Sequence, residues 1–427
     1  MVDDILHAAR EAFDTAPPAG DEAYARYCHR LADDLGEHWP GVLAANAEDL
    51  DEAAARGLPP VLVERLRLTG EHLAELVRMA RAVPAELRAA TAPDPGVPIA
   101  DWGVLRRVRK PLGVALMIYE ARPTVTVEGA LLFAAAGNAV LLRGGKEIAR
   151  TNAALGAVVR GALTAAGLPA ALVTVLEDPS RKVLRTLVTR SDAIDVLVPR
   201  GGPSLIDFCR SAGSVPLLAS GGGVNHLYVH RTADPATAAA ITLDSKIPAP
   251  AGCTSLEVAL VDGEAAEGYL TAVLEQARRD GVGLTLRLDP ALPEPADLPP
   301  GCRIERLGEH DLGREFLDAT IGVVPVAGPR EALALVRRHG SGHTEGVVSG
   351  DPAVAEWYAR RVDASAVVVN GSLRLNDGPT LGLGSEIAIS TSRLHARGPV
   401  TIGDLFTHSW LVEADGRLRG GLPGGGD

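Results

Sequence analysis

Two hydrophobic periods divide this chain, and the change between them falls near residue 100. From residue 3 to 90, apolar positions recur at helical spacing between mixed charges. The pattern predicts helices over 3–13, 21–37, 42–56 and 60–83, with Asp21 as an N-cap. A proline-rich stretch at 92–98 ends this region. Val104–Val108 then alternates apolar and basic residues, as an edge strand or a flap exposed on one face would. Gly113–Tyr119 reads G-V-A-L-M-I-Y and is continuously apolar, the signature of a parallel-sheet interior.

From there strand and helix patterns alternate. Strands are expected at 139–143, 173–176, 193–199, 215–218 and 226–229, with helices at 128–136, 151–166, 181–189 and 203–212. Parallel strands need crossover connections, so this block predicts an α/β fold with a doubly wound parallel sheet. A second alternating block follows residue 253. Its strands are expected at 256–261, 321–326, 344–349 and 366–370, and its helices at 264–280, 329–339 and 352–362. A proline-rich surface excursion covers 289–301. The tail from 416 is rich in glycine and expected to be loose. No internal repeat is visible.

Composition narrows the classes. Aromatic residues make up only 4% of the 427, so the core must be built from Ala, Val, Leu and Ile. The net charge of -12 argues against nucleic acid as a partner. Four cysteines lie far apart without a C-x-x-C, so neither a disulfide framework nor a metal site is expected, and a reducing cytoplasmic location fits. The first residues are acidic and lack a secretory apolar core. The longest apolar window, 125–142, is broken by Glu128, Gly137 and Asn138, so no membrane span is expected.

Candidate chemistry collects around Asp244–Val261, D-S-K-I-P-A-P-A-G-C-T-S-L-E-V-A-L-V. Pro248 and Pro250 make the middle of this stretch irregular. Cys253 sits where the loop meets an apolar strand interrupted by Glu257. A lone cysteine beside an apolar run is usually a small core residue. A thiol beside Gly252 at a loop junction can equally meet a ligand at close range. Ligands in doubly wound sheets bind at the carboxyl ends of strands. Three strand ends here are polar: Tyr119-Glu120-Ala121-Arg122, Arg143-Gly144-Gly145-Lys146-Glu147, and Arg200-Gly201-Gly202. Each alone is an ordinary turn as readily as a site. Together they form a cradle for an anionic ligand. Arg143 and Lys146 would favour a 2′-phosphate, hence NADP(H) over NAD(H). The run Ser220-Gly221-Gly222-Gly223 allows close backbone approach to a cofactor or to Cys253. His343, Arg374, His395 and Arg397 lie in polar, glycine-rich stretches that suit either turns or an anionic substrate.

These motifs, taken in order, resemble the gamma-glutamyl phosphate reductase family of the aldehyde dehydrogenase superfamily. The resemblance is carried by P-L-G-V-A-L-M-I-Y-E-A-R-P-T-V-T-V-E, G-N-A-V-L-L-R-G-G-K-E, V-P-R-G-G, the Cys253 loop, G-S-G-H-T-E, V-N-G-S-L-R-L-N-D-G and S-E-I-A-I-S-T-S-R-L-H-A-R-G-P. It runs from the first helix to about residue 412. It implies an aldehyde-dehydrogenase-like fold: helices and a cofactor domain in 1–246 with a flap at about 99–110, a catalytic domain in 247–375, and a return to the cofactor domain in 376–427. It implies NADPH-dependent reduction of L-glutamyl 5-phosphate to L-glutamate 5-semialdehyde, a step of proline biosynthesis, through a thioester on Cys253. Glu120, Arg122, Asp244, Lys246, His343, Arg374, His395 and Arg397 become expected substrate contacts. Arg143, Gly144, Gly145, Lys146, Arg200, Gly201, Gly202 and Gly222 become expected cofactor contacts, and no metal is implied. A homo-oligomer is expected, with 104–108 and 409–412 as candidate contacts, and glutamate kinase is the upstream partner such an enzyme would have.

The chain also departs from that family. Ala121 replaces a serine, Asp244 an asparagine, and the apolar Ile247–Gly252 a polar, basic loop. A family region E-x-G-x-G-x-C-H stands here as A-S-G-G-G-V-N-H, with Ala219 and Asn225. Losing charged groups there weakens binding of an anion by roughly 1.5–3 kcal/mol per hydrogen bond. An alternative is therefore a paralogue that reduces a different or carrier-held acyl donor. A hydrolytic aldehyde dehydrogenase would need a general base, and Ala219 stands where one would be sought. A non-enzymatic binding protein would have no use for the retained Cys253.

Overall fold

The computed structural model describes residues 2–219 and 222–419, without the side chains of 60–62 and 203. Ser220, Gly221 and the end of the glycine-rich tail lie outside the described residues. The chain begins with helices α1 (Val2–Thr15), α2 (Glu22–Ala55), α3 (Pro60–Leu66) and α4 (Gly70–Ala90). Asp21 caps α2, its carboxylate accepting from the Ala23 amide at 2.8 Å. The two helices expected over 21–56 are one. Pro40 costs that helix a hydrogen bond, but the buried face Leu35, Trp39 and Val42 continues past it, and packing carries the helix through. The single helix expected over 60–83 is two, because the Thr69 side chain starts a new one in a capping box with His72.

Then come β1 (Val97–Ile99), β2 (Gly103–Pro111), β3 (Val114–Tyr119), α5 (Thr124–Ala135), β4 (Ala139–Arg143), α6 (Ala149–Ala165), β5 (Val173–Val175), α7 (Arg181–Leu187), β6 (Val196–Arg200) and α8 (Pro203–Ala212). Strands β5-β4-β3-β6 form a parallel sheet in that order, and every residue of β3 is buried. The strand expected at 215–218 is reduced to one bridge between Leu197 and Leu217. Pro216 at its centre has no N–H to donate.

The next segment holds β7 (Asn225–Val229), α9 (Pro235–Lys246), β8 (Leu256–Asp262), α10 (Ala266–Asp280), β9 (Thr285–Leu288), β10 (Arg303–Arg306), β11 (Thr320–Val326), α11 (Pro329–His339), β12 (Thr344–Val348), α12 (Pro352–Ala359) and β13 (Ala366–Val369). Its sheet is parallel throughout, in the order β10-β9-β11-β8-β7-β12-β13. Alternate residues of a strand face opposite sides. Leu227, Val229, Ala259 and Val261 accordingly enter one core, and Tyr228, Val258 and Leu260 the other. A pair β14 (Glu386–Ser390) and β15 (Gly398–Thr401) follows. Finally β16 (Phe406–Glu413) runs antiparallel to β2, which also carries β1.

Two compact units result: Met1–Leu218 with Thr401–Asp427, and Ala219–Val400. The boundary expected at 246/247 lies inside the second unit. Strand β7, expected to belong with the first alternating block, instead pairs with β8 on one side and β12 on the other.

Candidate functional site

In the first unit, β4, β3 and β6 are neighbours, with Ile118 opposite Arg143 and Tyr119 opposite Arg200. The three polar strand ends therefore lie side by side. The Glu120 amide donates to the Arg200 carbonyl at 3.2 Å. A Cβ on Gly201 would lie 2.8 Å from the Glu120 carboxylate, so these two motifs pack directly. Gly144 is pressed against the Asn152 amide and the Tyr119 ring. Thr126 links those two, 2.7 Å from Tyr119 Oη and donating at 2.7 Å to Asn152 Oδ1. Gly145 is pressed against the carboxylate of Glu147, which accepts from the Ala121 amide at 3.2 Å. Ala121 takes a left-handed φ of 48°, a strained conformation for alanine.

The Arg143 guanidinium is half-buried and donates to the Pro179 carbonyl. Burial lowers its pKa, and the nearby Glu147 and Glu120 act the other way. Its buried Nε has no hydrogen-bond partner among the described residues. Lys146 and Arg122 are exposed. Gly202 caps α8 without a side-chain bond, and the space where its Cβ would stand is open. The first-turn amides of that helix, apart from Pro203, which has none, are left without a side-chain cap.

In the second unit, Cys253 is the exposed cysteine, while Cys28, Cys209 and Cys302 are buried. Burial pushes the Cys28 thiol up to about 12 and that of Cys209 up to about 11, which makes both inert. The loop before Cys253 closes through short turns, Gly252 N to Ala249 O and Ser255 N to Gly252 O, both 3.0 Å. Asn225 Nδ2 donates to the carbonyls of Cys253 (2.8 Å) and Ser255 (2.7 Å). Gly223 lies so close to the Cys253 carbonyl that no side chain fits there. The Gly223 amide is itself held by the Glu315 carboxylate at 2.8 Å. Gly222, beside it, is half-buried.

Asp244 and Lys246 end α9 rather than lying in the loop, and they point to different surroundings. Asp244 is exposed and pairs with Arg374 at 3.4 Å, so these two expected substrate contacts come together. Lys246 is fully buried, its ammonium 3.0 Å from Glu257 and donating to the Pro250 carbonyl at 3.3 Å. Glu257 also accepts from the Phe316 amide at 2.9 Å. Burial raises the Glu257 carboxyl to about 7 and lowers the Lys246 ammonium, while each partner favours the other's charge. The ammonium of Lys246 thus braces the cysteine loop from within.

His343 is buried at the start of β12, its Nδ1 2.8 Å from Thr344 Oγ1. Arg397 pairs with Asp363 at 2.7 Å, and Arg393 pairs with the same carboxylate. These two arginines hold the Asp363 carboxyl below its ordinary range. His395 is exposed. Sequence reasoning missed Glu315, reached Thr344 and Asn376 only as members of polar stretches, and noted Asn225 only as a departure. Each acts on a segment distant in the chain, and nothing in local pattern marks such a partner.

The aldehyde dehydrogenase family model matches residues 2–291. The chain is 40% identical over 423 residues to a gamma-glutamyl phosphate reductase of Chloroflexus aggregans, covering 97% of this chain and 98% of that protein. It is 42% identical over 390 residues to one from Symbiobacterium thermophilum, covering 88% of this chain and 90% of that protein. The solved gamma-glutamyl phosphate reductase of Thermotoga maritima superposes with a TM-score of 0.89 at 30% identity, over 98% of this chain and 99% of that one. The chain therefore belongs to the aldehyde dehydrogenase family and, within it, to the gamma-glutamyl phosphate reductases.

Proposed function

We propose that this chain reduces L-glutamyl 5-phosphate to L-glutamate 5-semialdehyde, with release of phosphate and Cys253 as nucleophile. The observation that carries the role of Cys253 is its exposure on a loop braced from within, while the other three cysteines are buried. The Cys253 thiolate attacks the acyl carbon, the carbon–oxygen bond to phosphate breaks, and phosphate leaves with that electron pair. The thioester keeps the acyl group electrophilic. NADPH, when bound, supplies the hydride. Backbone N–H groups of the cysteine loop hold the oxyanion of each tetrahedral state. Collapse of the second breaks the carbon–sulfur bond and returns the thiolate with the aldehyde.

The first unit supports binding of that cofactor through the open Gly202 end of α8 and the adjacent Arg143, Gly144, Gly145, Lys146, Arg200 and Gly201. Arg143 and Lys146 favour a 2′-phosphate. Within the second unit Asp244, Arg374, His395 and Arg397 remain the proposed substrate contacts, and the fully buried His343 supports the start of β12 instead; within the first unit Glu120 and Arg122 remain proposed contacts. Lys246 acts on the loop. The β1-β2-β16 sheet leaves Trp410, Leu411 and Val412 exposed, which supports a homo-oligomer formed through it. No described helix is long and apolar enough to cross a membrane. The apolar run Ile247–Gly252 favours one second reading, a different or carrier-held acyl donor.

Offering the purified protein L-glutamate 5-semialdehyde, phosphate and NADP⁺ tests the proposal. The expected result is formation of NADPH that drops by at least ~10³-fold in Cys253→Ala. Undiminished turnover in that variant would sink the role of Cys253. Absent turnover with intact NADPH binding would instead favour the second reading.

A further inference from the structure

Asn225 opens β7 and is fully buried. A buried amide needs partners for two N–H groups and one oxygen. Here all are backbone groups of other segments. Nδ2 donates to the carbonyls of Cys253 and Ser255, at 2.8 and 2.7 Å. Oδ1 accepts from the Thr344 amide at 3.0 Å. Thr344 Oγ1 in turn accepts from Asn376 Nδ2 at 2.9 Å. One side chain thus ties the cysteine loop to the start of β12, and through it to residue 376.

Two further features aim Asn225 at that loop. The β7–β8 ladder slips register between Asn225 and His226, with Asn225 opposite Leu256 but His226 opposite Val258. Such irregularities turn a side chain out of the ladder. Gly223, two residues earlier, presses its backbone on the same Cys253 carbonyl and is fixed there by Glu315. The carbonyl of Cys253 is therefore held from two sides. The loop itself, built of Pro248, Ala249, Pro250, Ala251 and Gly252, offers few groups of its own to do so.

We infer that Asn225 is the positioning residue of Cys253: its amide fixes the backbone of the nucleophile and so sets where Sγ stands. This rests on the reading of Cys253 as nucleophile. Asn225 is fully buried and its amide is taken up by backbone groups, so it acts on the rate of the steps at Sγ and not on affinity. A misplacement of about 1 Å lowers a rate by roughly 10²-fold.

The test compares Asn225→Ala, Asn225→Ser, Asn225→Asp and Cys253→Ala in the glutamate semialdehyde, phosphate and NADP⁺ assay. Iodoacetamide labelling with intact-mass detection runs alongside. A folded variant takes up one label, because the other three cysteines are buried. For Asn225→Ala the expectation is a kcat about 30–300-fold lower, KM within about threefold, and single labelling. Asn225→Ser, with one hydroxyl donor, should recover part of the loss. Asn225→Asp keeps an oxygen for Thr344 but sets the other against the two carbonyls, so it should lose at least as much as Ala, and Asn225→Ser serves if Ala does not fold. Wild-type kcat in a folded Ala or Asp variant, or in Ser where Ala does not fold, overturns the inference, as does a rise in KM at unchanged kcat. If neither Ala nor Ser yields folded protein, Asn225 is a structural residue and the inference also falls. Undiminished turnover in Cys253→Ala sinks the underlying reading instead, whatever the Asn225 variants show.

Discussion

The strand ends of the first unit and the cysteine loop of the second are built on opposite plans. At the strand ends each motif is a run of three to five adjacent residues, and neighbouring strands bring the runs together through backbone register. Around Cys253 the supports come from residues 223, 225, 246, 257 and 344, and the buried side chains of Asn225, Lys246 and Glu257 carry most of the bonds among them. A backbone-built site is set by the fold of its sheet. A side-chain-built site depends on each member being present, because an unmatched buried group loses its partners without regaining water. Damage should therefore spread in the second unit and stay local in the first.

The largest effect is expected at the buried pair. Lys246→Met leaves the Glu257 carboxyl without its partner and should cost about 3–5 kcal/mol of unfolding free energy in urea. Replacing both, as Lys246→Met with Glu257→Met, should recover most of that loss. A single variant as stable as wild type would break the contrast. The pair also sets a pH dependence. The folded carboxyl, held near 7 and above its ordinary 4.5 by burial, binds a proton that the unfolded chain has released. Its contribution is present below pH 4.5 and is lost as pH rises through 7. Glu257→Gln should gain stability relative to wild type across that window, and a difference flat in pH would argue against it.

At the strand ends a smaller and local effect is expected. A Cβ on Gly144 would lie 3.1 Å from the Tyr119 ring and against the Asn152 amide. Gly144→Ala should cost about 1–3 kcal/mol and weaken NADPH binding, read by nucleotide fluorescence. The alkylation rate of Cys253 should stay at its wild-type value. Slower or faster labelling would show that the two regions are coupled.

The smallest effect is at Ala121. Its left-handed backbone costs roughly 1–2 kcal/mol, part of which a glycine would return as unfolded-chain freedom. Ala121→Gly should stabilise by about 0.5–1 kcal/mol in thermal denaturation. A lower melting temperature would mean that the strain is absent.

The same contrast explains what could be read in the sequence. The three strand ends were legible because Gly, Arg and Glu stand together there. The exposure of Cys253 was legible from its loop of Pro, Ala and Gly. Lys246 was legible as a charge but not as a buried one, since Glu257 lies eleven residues on and across a turn. Asn225 and Thr344 carry no local signal, because their partners are brought to them by the order β8-β7-β12. That order is also why the unit boundary was misplaced. An isolated alternating segment fits either sheet, and only the pairing of β7 with β8 and β12 decides.

The antiparallel ladder of β2 with β16 has a consequence for synthesis. β2 ends at Pro111, and its partner begins at Phe406. At translation rates of about 5–20 residues per second, roughly 15–60 s separate the two strands as they leave the ribosome. Over that interval most of β2 is an open edge that invites pairing with another chain. Four of its residues, Arg106, Arg107, Arg109 and Lys110, are basic. Two such strands set side by side would face like charges, which disfavours that wrong pairing at the open edge.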